Sequence, residues 1–202
     1  MKAFINLIVI TFFFTNTVIS QLTLHEWKDS YYENYNSKTF GNIKIINEII
    51  DKNNIDYKLF NAAIFYYTNI QRVKHRKIPF KHSSALENAA QKHSENMAKR
   101  NFYSHKSPVK GHHTMSDRIE SEGITNAYMA ENIFNAFDQD PTYWSFAKVL
   151  VDGWMDSKGH RANILDKNQL YLGCGVFYYY NKEWEDYFWV KSTQNFSSKK
   201  GN

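Results

Sequence analysis

From Tyr57 onward, apolar and polar residues alternate with a helical period. Phe60, Ala63, Ile64, Tyr67 and Ile70 or Gln71 recur at the spacing that lines one face of an α-helix. That pattern stops before Ile78-Pro79, because the residue ahead of a proline resists the helical region. A second helix is predicted from Ser84-Ala85-Leu86-Glu87, read as a capping box in which the serine and the glutamate each satisfy an unpaired N–H. Its apolar stripe runs Leu86, Ala89, Ala90, His93, Met97, so His93 reads as a hydrogen-bonded core histidine rather than a ligand.

The next stretch, FYSHKSPVKGHHTMSDRIESEGI, reads as a loop with three histidines, then a short helix opened by Thr114 with Asp117 three residues on and closed by Gly123. YMAENIF is a short, mostly apolar run broken by a glutamate and an asparagine. In SFAKVLVDGWMDSKG, Phe146, Val149, Leu150, Gly153 and Trp154 return to helical spacing, and Gly159 is expected to end that helix. Thereafter YLGCGVFYYY (171–180) and DYFWVKSTQNF (186–196) are rich in aromatic and β-branched residues around the polar turn NKEWE, which predicts an antiparallel hairpin. Gly173 and Gly175 in the first of these strands imply close approach of another backbone. Helices first and strands last give an α+β class.

Composition bounds this picture. Lys2, the apolar run Phe4 to Phe14 and the exit Val18-Ile19-Ser20 have the layout of a secretory signal peptide over residues 1–20, too short for a membrane span, and no later segment is apolar enough to cross a bilayer. The expected product is therefore exported: secreted, periplasmic or surface-associated. Residues 21–56, polar and rich in Asn and Tyr, read as an N-terminal extension, residues 57–198 as one domain, and 199–202 as a tail. Cys174 is the only cysteine, so the fold rests on packing rather than on a disulfide, and the 17% aromatic content suits that. Lone-cysteine export also points toward a bacterial source. A net charge of +5 is concentrated only around Arg72, Lys74, Arg76, Lys77 and Lys81. That cluster reads as a solvated helix end, and no motif supports nucleic-acid binding.

Three polar residues stand out within short motifs: His105 in FYSHKSP, Glu131 in AENIF and His160 in GHRANIL. Two imidazoles and a carboxylate are the minimum set for a divalent metal such as zinc with open positions. The same set serves equally as a hydrogen-bonding network in which the glutamate orients an imidazole. Spacing does not choose between them, and a His-Glu-x-x-His helix is absent from the sequence.

The ordered motifs HSENMAKRNFYSHKSP, DRIESEGI, AENIF, WMDSKGHRANIL, LGCGV and STQNF resemble the bacterial branch of the CAP superfamily, the cysteine-rich secretory, antigen 5 and pathogenesis-related 1 proteins. The resemblance covers about Phe60 to Phe196. It implies a three-layer α-β-α sandwich around a mainly antiparallel sheet, with an open cleft in which the family often places two histidines and two acidic residues. Position by position, these fall on His105, Glu131 and His160, while the fourth falls on Ser157, a poor metal ligand. The resemblance thus implies a cleft lined by His105, Glu131, Ser157 and His160, with His105 and His160 as the metal candidates. Two functional expectations follow. One is a non-catalytic extracytoplasmic module that holds a lipid, a peptide or a cell-envelope component. The other is a metal-assisted hydrolase in which Glu131 is the catalytic candidate, acting as general base on a bound water.

Overall fold

The computed structural model describes residues 27–201, so the leader expected at residues 1–20 lies outside the described residues. After a single helical turn, α1 (Tyr31–Asn34), and two 3-10 turns at Phe40–Asn42 and Lys44–Asn47, the first long helix, α2, runs Tyr57–Lys74. Asp56 caps it by accepting the Leu59 N–H at 2.9 Å, and the same carboxylate accepts the Trp27 N–H at 3.0 Å. One side chain thus starts the helix and pins the preceding segment. Trp27, Phe40, Ile46 and Ile50 are buried in the same core cluster as Phe60 and Ile64 of α2.

Helix α3 (Ser84–Lys99) begins one residue earlier than the capping box predicted. Ser83 is the cap, extended and accepting the Leu86 N–H, while Glu87 is drawn away to the His82 ring at 2.6 Å and the Tyr32 hydroxyl at 3.0 Å. A buried carboxylate gains more from two such donors than from a backbone N–H at a solvated helix end. Helix α4 (Met115–Glu120) carries the expected box between Thr114 and Asp117, with Gly123 at φ 87° just beyond it.

The strands are β1 (Lys81–His82), β2 (Met129–Asp138), β3 (Tyr171–Tyr179) and β4 (Phe188–Ser197), in the order β1-β3-β4-β2. Only the β1–β3 pair is parallel; β3–β4 is the expected hairpin, and β2 pairs with β4 along its whole length. MAENIF therefore opens a full strand, with Tyr128 just ahead of it.

Helix α3 covers one sheet face, and α2 with α5 (Tyr143–Asp156) covers the other, which makes the three-layer α-β-α sandwich. The glycines of β3 permit the first contact. A Cβ on Gly173 would lie 2.0 Å from the Glu87 backbone nitrogen, and one on Gly175 would lie 2.2 Å from that of Gln91. On the opposite face Phe60, Phe146, Leu150 and Trp154 pack with Phe188, Val190 and Phe196, all at most 1% exposed. Cys174 is buried in β3, and that burial pushes its thiol well above the ordinary range.

Two expectations change. The helix ends at Asp156 rather than at Gly159: Ser157 is extended (φ −86°, ψ 123°), and a new helix, α6 (Lys158–Leu165), contains Gly159 and His160. Arg161 closes this joint, its Nε donating to the Met155 carbonyl and its N–H to the Ser157 carbonyl at 2.8 Å. Nor is the basic cluster wholly solvated. Arg72 is 2% exposed, stacks over the Phe80 ring and donates to the carbonyls of Ile78, Ile164 and Asp166.

Candidate functional site

Glu131 lies in β2 opposite Asn195 of β4, on the face that α3 covers. It is buried, and its neighbours account for both carboxylate oxygens. His105, in the loop after α3, approaches Oε1 with Nδ1 at 2.9 Å; Arg118 of α4 donates to Oε1 at 2.9 Å and Oε2 at 2.7 Å. The Asn195 amide, oriented to satisfy both of its neighbours, donates to Oε2 at 3.1 Å and accepts the Ala90 N–H at 3.1 Å. Burial alone would raise the Glu131 pKa, but the His105 hydrogen bond and the Arg118 charge more than reverse it and hold the carboxyl below its ordinary range. An ionised carboxylate only accepts, so His105 Nδ1 carries the proton and, in the neutral ring, Nε2 is left as the free acceptor on an exposed side chain.

Arg118 also ties the loop. It donates to the carbonyls of His105, His112 and His113, while the His113 ring sits 2.7 Å from the Ser107 carbonyl and the Ser107 N–H returns to the His113 carbonyl. His112 therefore serves the loop through its backbone, and His113 through both its backbone and its ring. His93 is buried on α3, as its place on the apolar stripe predicts, with Nε2 3.1 Å from the Ser104 carbonyl. Burial pushes its pKa down to about 4, so it is neutral at pH 7.

A chain of amides carries the site to α6. Asn132 donates to the His160 carbonyl at 3.2 Å and to Gln194 at 3.1 Å, and Asn163 donates to Asn132 at 2.8 Å. His160 is half-buried; burial first, then repulsion from His105 whenever that ring is protonated, lowers its pKa, so it too is neutral at pH 7. Ser157 sits at the α5–α6 joint and its hydroxyl caps neither helix.

The structure thus joins His105 to Glu131 directly, ties the His160 backbone to the strand that bears Glu131, and uses Ser157 as a hinge in the backbone. Arg118, Asn195 and Asn163 were not singled out in the sequence. Their only signal is the motif DRIESEGI for Arg118, where an arginine on a short helix reads as a surface cation.

The donor set does not fit a resident metal. Among the described residues no three His, Cys, Asp or Glu side chains are grouped to hold one, and Glu131 is taken up by Arg118, Asn195 and His105. What the arrangement offers is a rigid anion under an oriented imidazole, beside a second, neutral imidazole.

The family model described as "CAP: Cysteine-rich secretory protein family" matches residues 65–192. Two proteins of Bacillus subtilis (strain 168) are each 32% identical: the uncharacterized membrane protein YlbC over 109 residues, and the uncharacterized protein YkwD over 116. These matches cover 54% and 57% of this chain but 29% and 42% of the relatives, so the chain spans less than half the length of either. Among solved structures, an extracellular protein containing a SCP domain from Bacillus anthracis aligns with TM-score 0.54 at 29% identity, covering 71% of this chain and 41% of that one. An outer surface protein from Borrelia burgdorferi aligns with the same TM-score at 13% identity, covering 71% and 95%, a likeness of fold.

Proposed function

Because the chain belongs to the cysteine-rich secretory protein (CAP) family, we propose that it is an exported binding module that holds a lipid, peptide or other cell-envelope component over His105, Glu131 and His160 without chemical turnover. The observation that carries this reading is the engagement of Glu131 by Arg118, Asn195 and His105. A general base must be free to take a proton from water, whereas a carboxylate held below its ordinary pKa by an arginine and an imidazole is a poor one. The same carboxylate is well suited to fix the His105 tautomer and ring plane, which presents a defined acceptor to a ligand. Export accords with the extracellular SCP-domain protein from Bacillus anthracis that this chain matches at 29% identity.

The test is retention of material from isolated bacterial envelopes by the purified chain, compared with the double variant His105→Ala/His160→Ala. Mass spectrometry should recover the same molecule before and after incubation, with binding by the double variant weaker by about tenfold or more. Release of a cleaved product, or equal retention by both proteins, would overturn the reading.

A further inference from the structure

The geometry points to a second ligand site on this chain, a pocket between residues 29–37 and β1 that takes a short peptide with free termini and an aromatic residue. The cavity measures about 720 Å³, within the range of small-molecule sites, and none of His105, Glu131, Ser157 and His160 lines it. It goes beyond the cleft function proposed above and does not depend on it.

The walls are chemically sorted. The half-buried rings of Tyr32, Tyr35 and Tyr171 supply the aromatic surface of the wall, backed by Phe65, Tyr66 and Phe80 of the core, and favour a ring laid against them. Asp29 and Glu33 come from the side of α1, and Lys81 and Lys200 from the side of β1 and the C-terminal segment, so the rim carries both signs of charge on separate elements. Asp29 is already paired with Lys58 at 3.2 Å, which leaves Glu33 as the main contact for an ammonium group. Ser83 Oγ holds the Lys200 carbonyl and so fixes the strand of chain that brings Lys200 to the rim.

Tyr32 and His82 reach the pocket from a built polar cluster that the cleft does not use, centred on Glu87 behind the wall. Glu87, buried, accepts from the Tyr32 hydroxyl at 3.0 Å and lies 2.6 Å from His82 Nε2, and Tyr32 stacks on the His82 ring with centroids 3.6 Å apart and planes 7° from parallel. In the neutral ring that gives Nε2–H to the carboxylate, His82 Nδ1 is an acceptor, and among the described residues nothing donates to it. His82 lines the pocket, so an incoming N–H is the partner this atom lacks. An anionic end at the lysines, a cationic end at Glu33, an N–H between them and a ring on the aromatic wall describe a peptide zwitterion. Phosphocholine, also zwitterionic, has no N–H for His82.

Calorimetric titration of the full chain with Ala-Phe-Ala tests this, using the free tripeptide, its N-acetylated form and its C-amidated form. The free form should bind, and each cap should weaken binding by about tenfold. In Lys81→Ala/Lys200→Ala the penalty for amidation should vanish while that for acetylation persists, and Glu33→Gln should show the reverse. His82→Ala should weaken all three forms alike, and His105→Ala should change none. The inference is overturned if no form binds at millimolar peptide, if the caps have no effect, or if phosphocholine competes at equal concentration. It is also overturned if His105→Ala abolishes binding, which would place the peptide in the cleft.

Discussion

One guanidinium nitrogen of Arg118 lies 2.9 and 2.7 Å from the two carboxylate oxygens of Glu131, and both side chains are at most 3% exposed. Breaking a buried pair by deleting one partner costs more than the pair contributes, because the other charge is left without compensation. Arg118→Met should destabilise the chain by roughly 3–5 kcal/mol in urea denaturation, and adding Glu131→Gln should restore part of that loss. A double variant no more stable than Arg118→Met would show that the guanidinium acts on the loop carbonyls alone.

His93 gives the protein an acid weakness. Its folded pKa of about 4 lies below the ordinary value of 6.5, so the unfolded chain takes up the proton first as the pH falls. The stabilisation is complete above pH ~6.5 and erodes toward pH 4, by at most roughly 3 kcal/mol at about 1.4 kcal/mol per unit. His93→Gln should flatten the stability profile in that window. An unchanged slope in the variant would assign the acid loss to another group.

Gly175→Ala should be far more damaging than an ordinary strand substitution. The added Cβ would fall 2.2 Å from the Gln91 nitrogen and 2.3 Å from the Ala90 carbonyl carbon, both backbone atoms that cannot rotate away. Separation of α3 from the sheet should cost about 3 kcal/mol or more, above the usual penalty of overpacking. A shift in thermal midpoint equal to that of Gly159→Ala, a position with open space around it and no left-handed backbone, would contradict this.

His105→Ala should separate binding from stability. The side chain is 55% exposed, so its contact with Glu131 contributes about 1 kcal/mol or less to folding. Arg118 and Asn195 still satisfy the carboxylate without it. Envelope retention should fall with little change in the denaturation midpoint; a large loss of stability would make the imidazole a structural post.

Periodicity exposed α2 and α3, and strand-forming residues around a polar turn exposed the hairpin, because each depends on neighbours near in sequence; the distant contact at Gly173 and Gly175 was legible only because a glycine inside a strand leaves room for another backbone. Polar residues inside buried elements were harder to read. Glu131 and Asn132 mask β2, since both are buried polar groups whose partners, Arg118 and Gln194, come from other parts of the chain. Ser83 and Ser84 are chemically identical, and only the pull of His82 and Tyr32 on Glu87 decides which of them caps α3. Gly159 has the residue type of a helix end, yet Arg161 bonds across the joint and moves the break to Ser157. His105, Glu131 and His160 were visible as motif residues; the arginine that governs the carboxylate was not.

Cys174, sealed within β3 with its thiol pushed upward, carries a practical corollary. With no second cysteine in the chain to pair with, and a sulfur shielded from alkylating and oxidising reagents, the architecture is indifferent to the redox potential around it. Purification with or without reductant should yield the same folded molecule, and any covalent dimer would report prior unfolding of the central sheet.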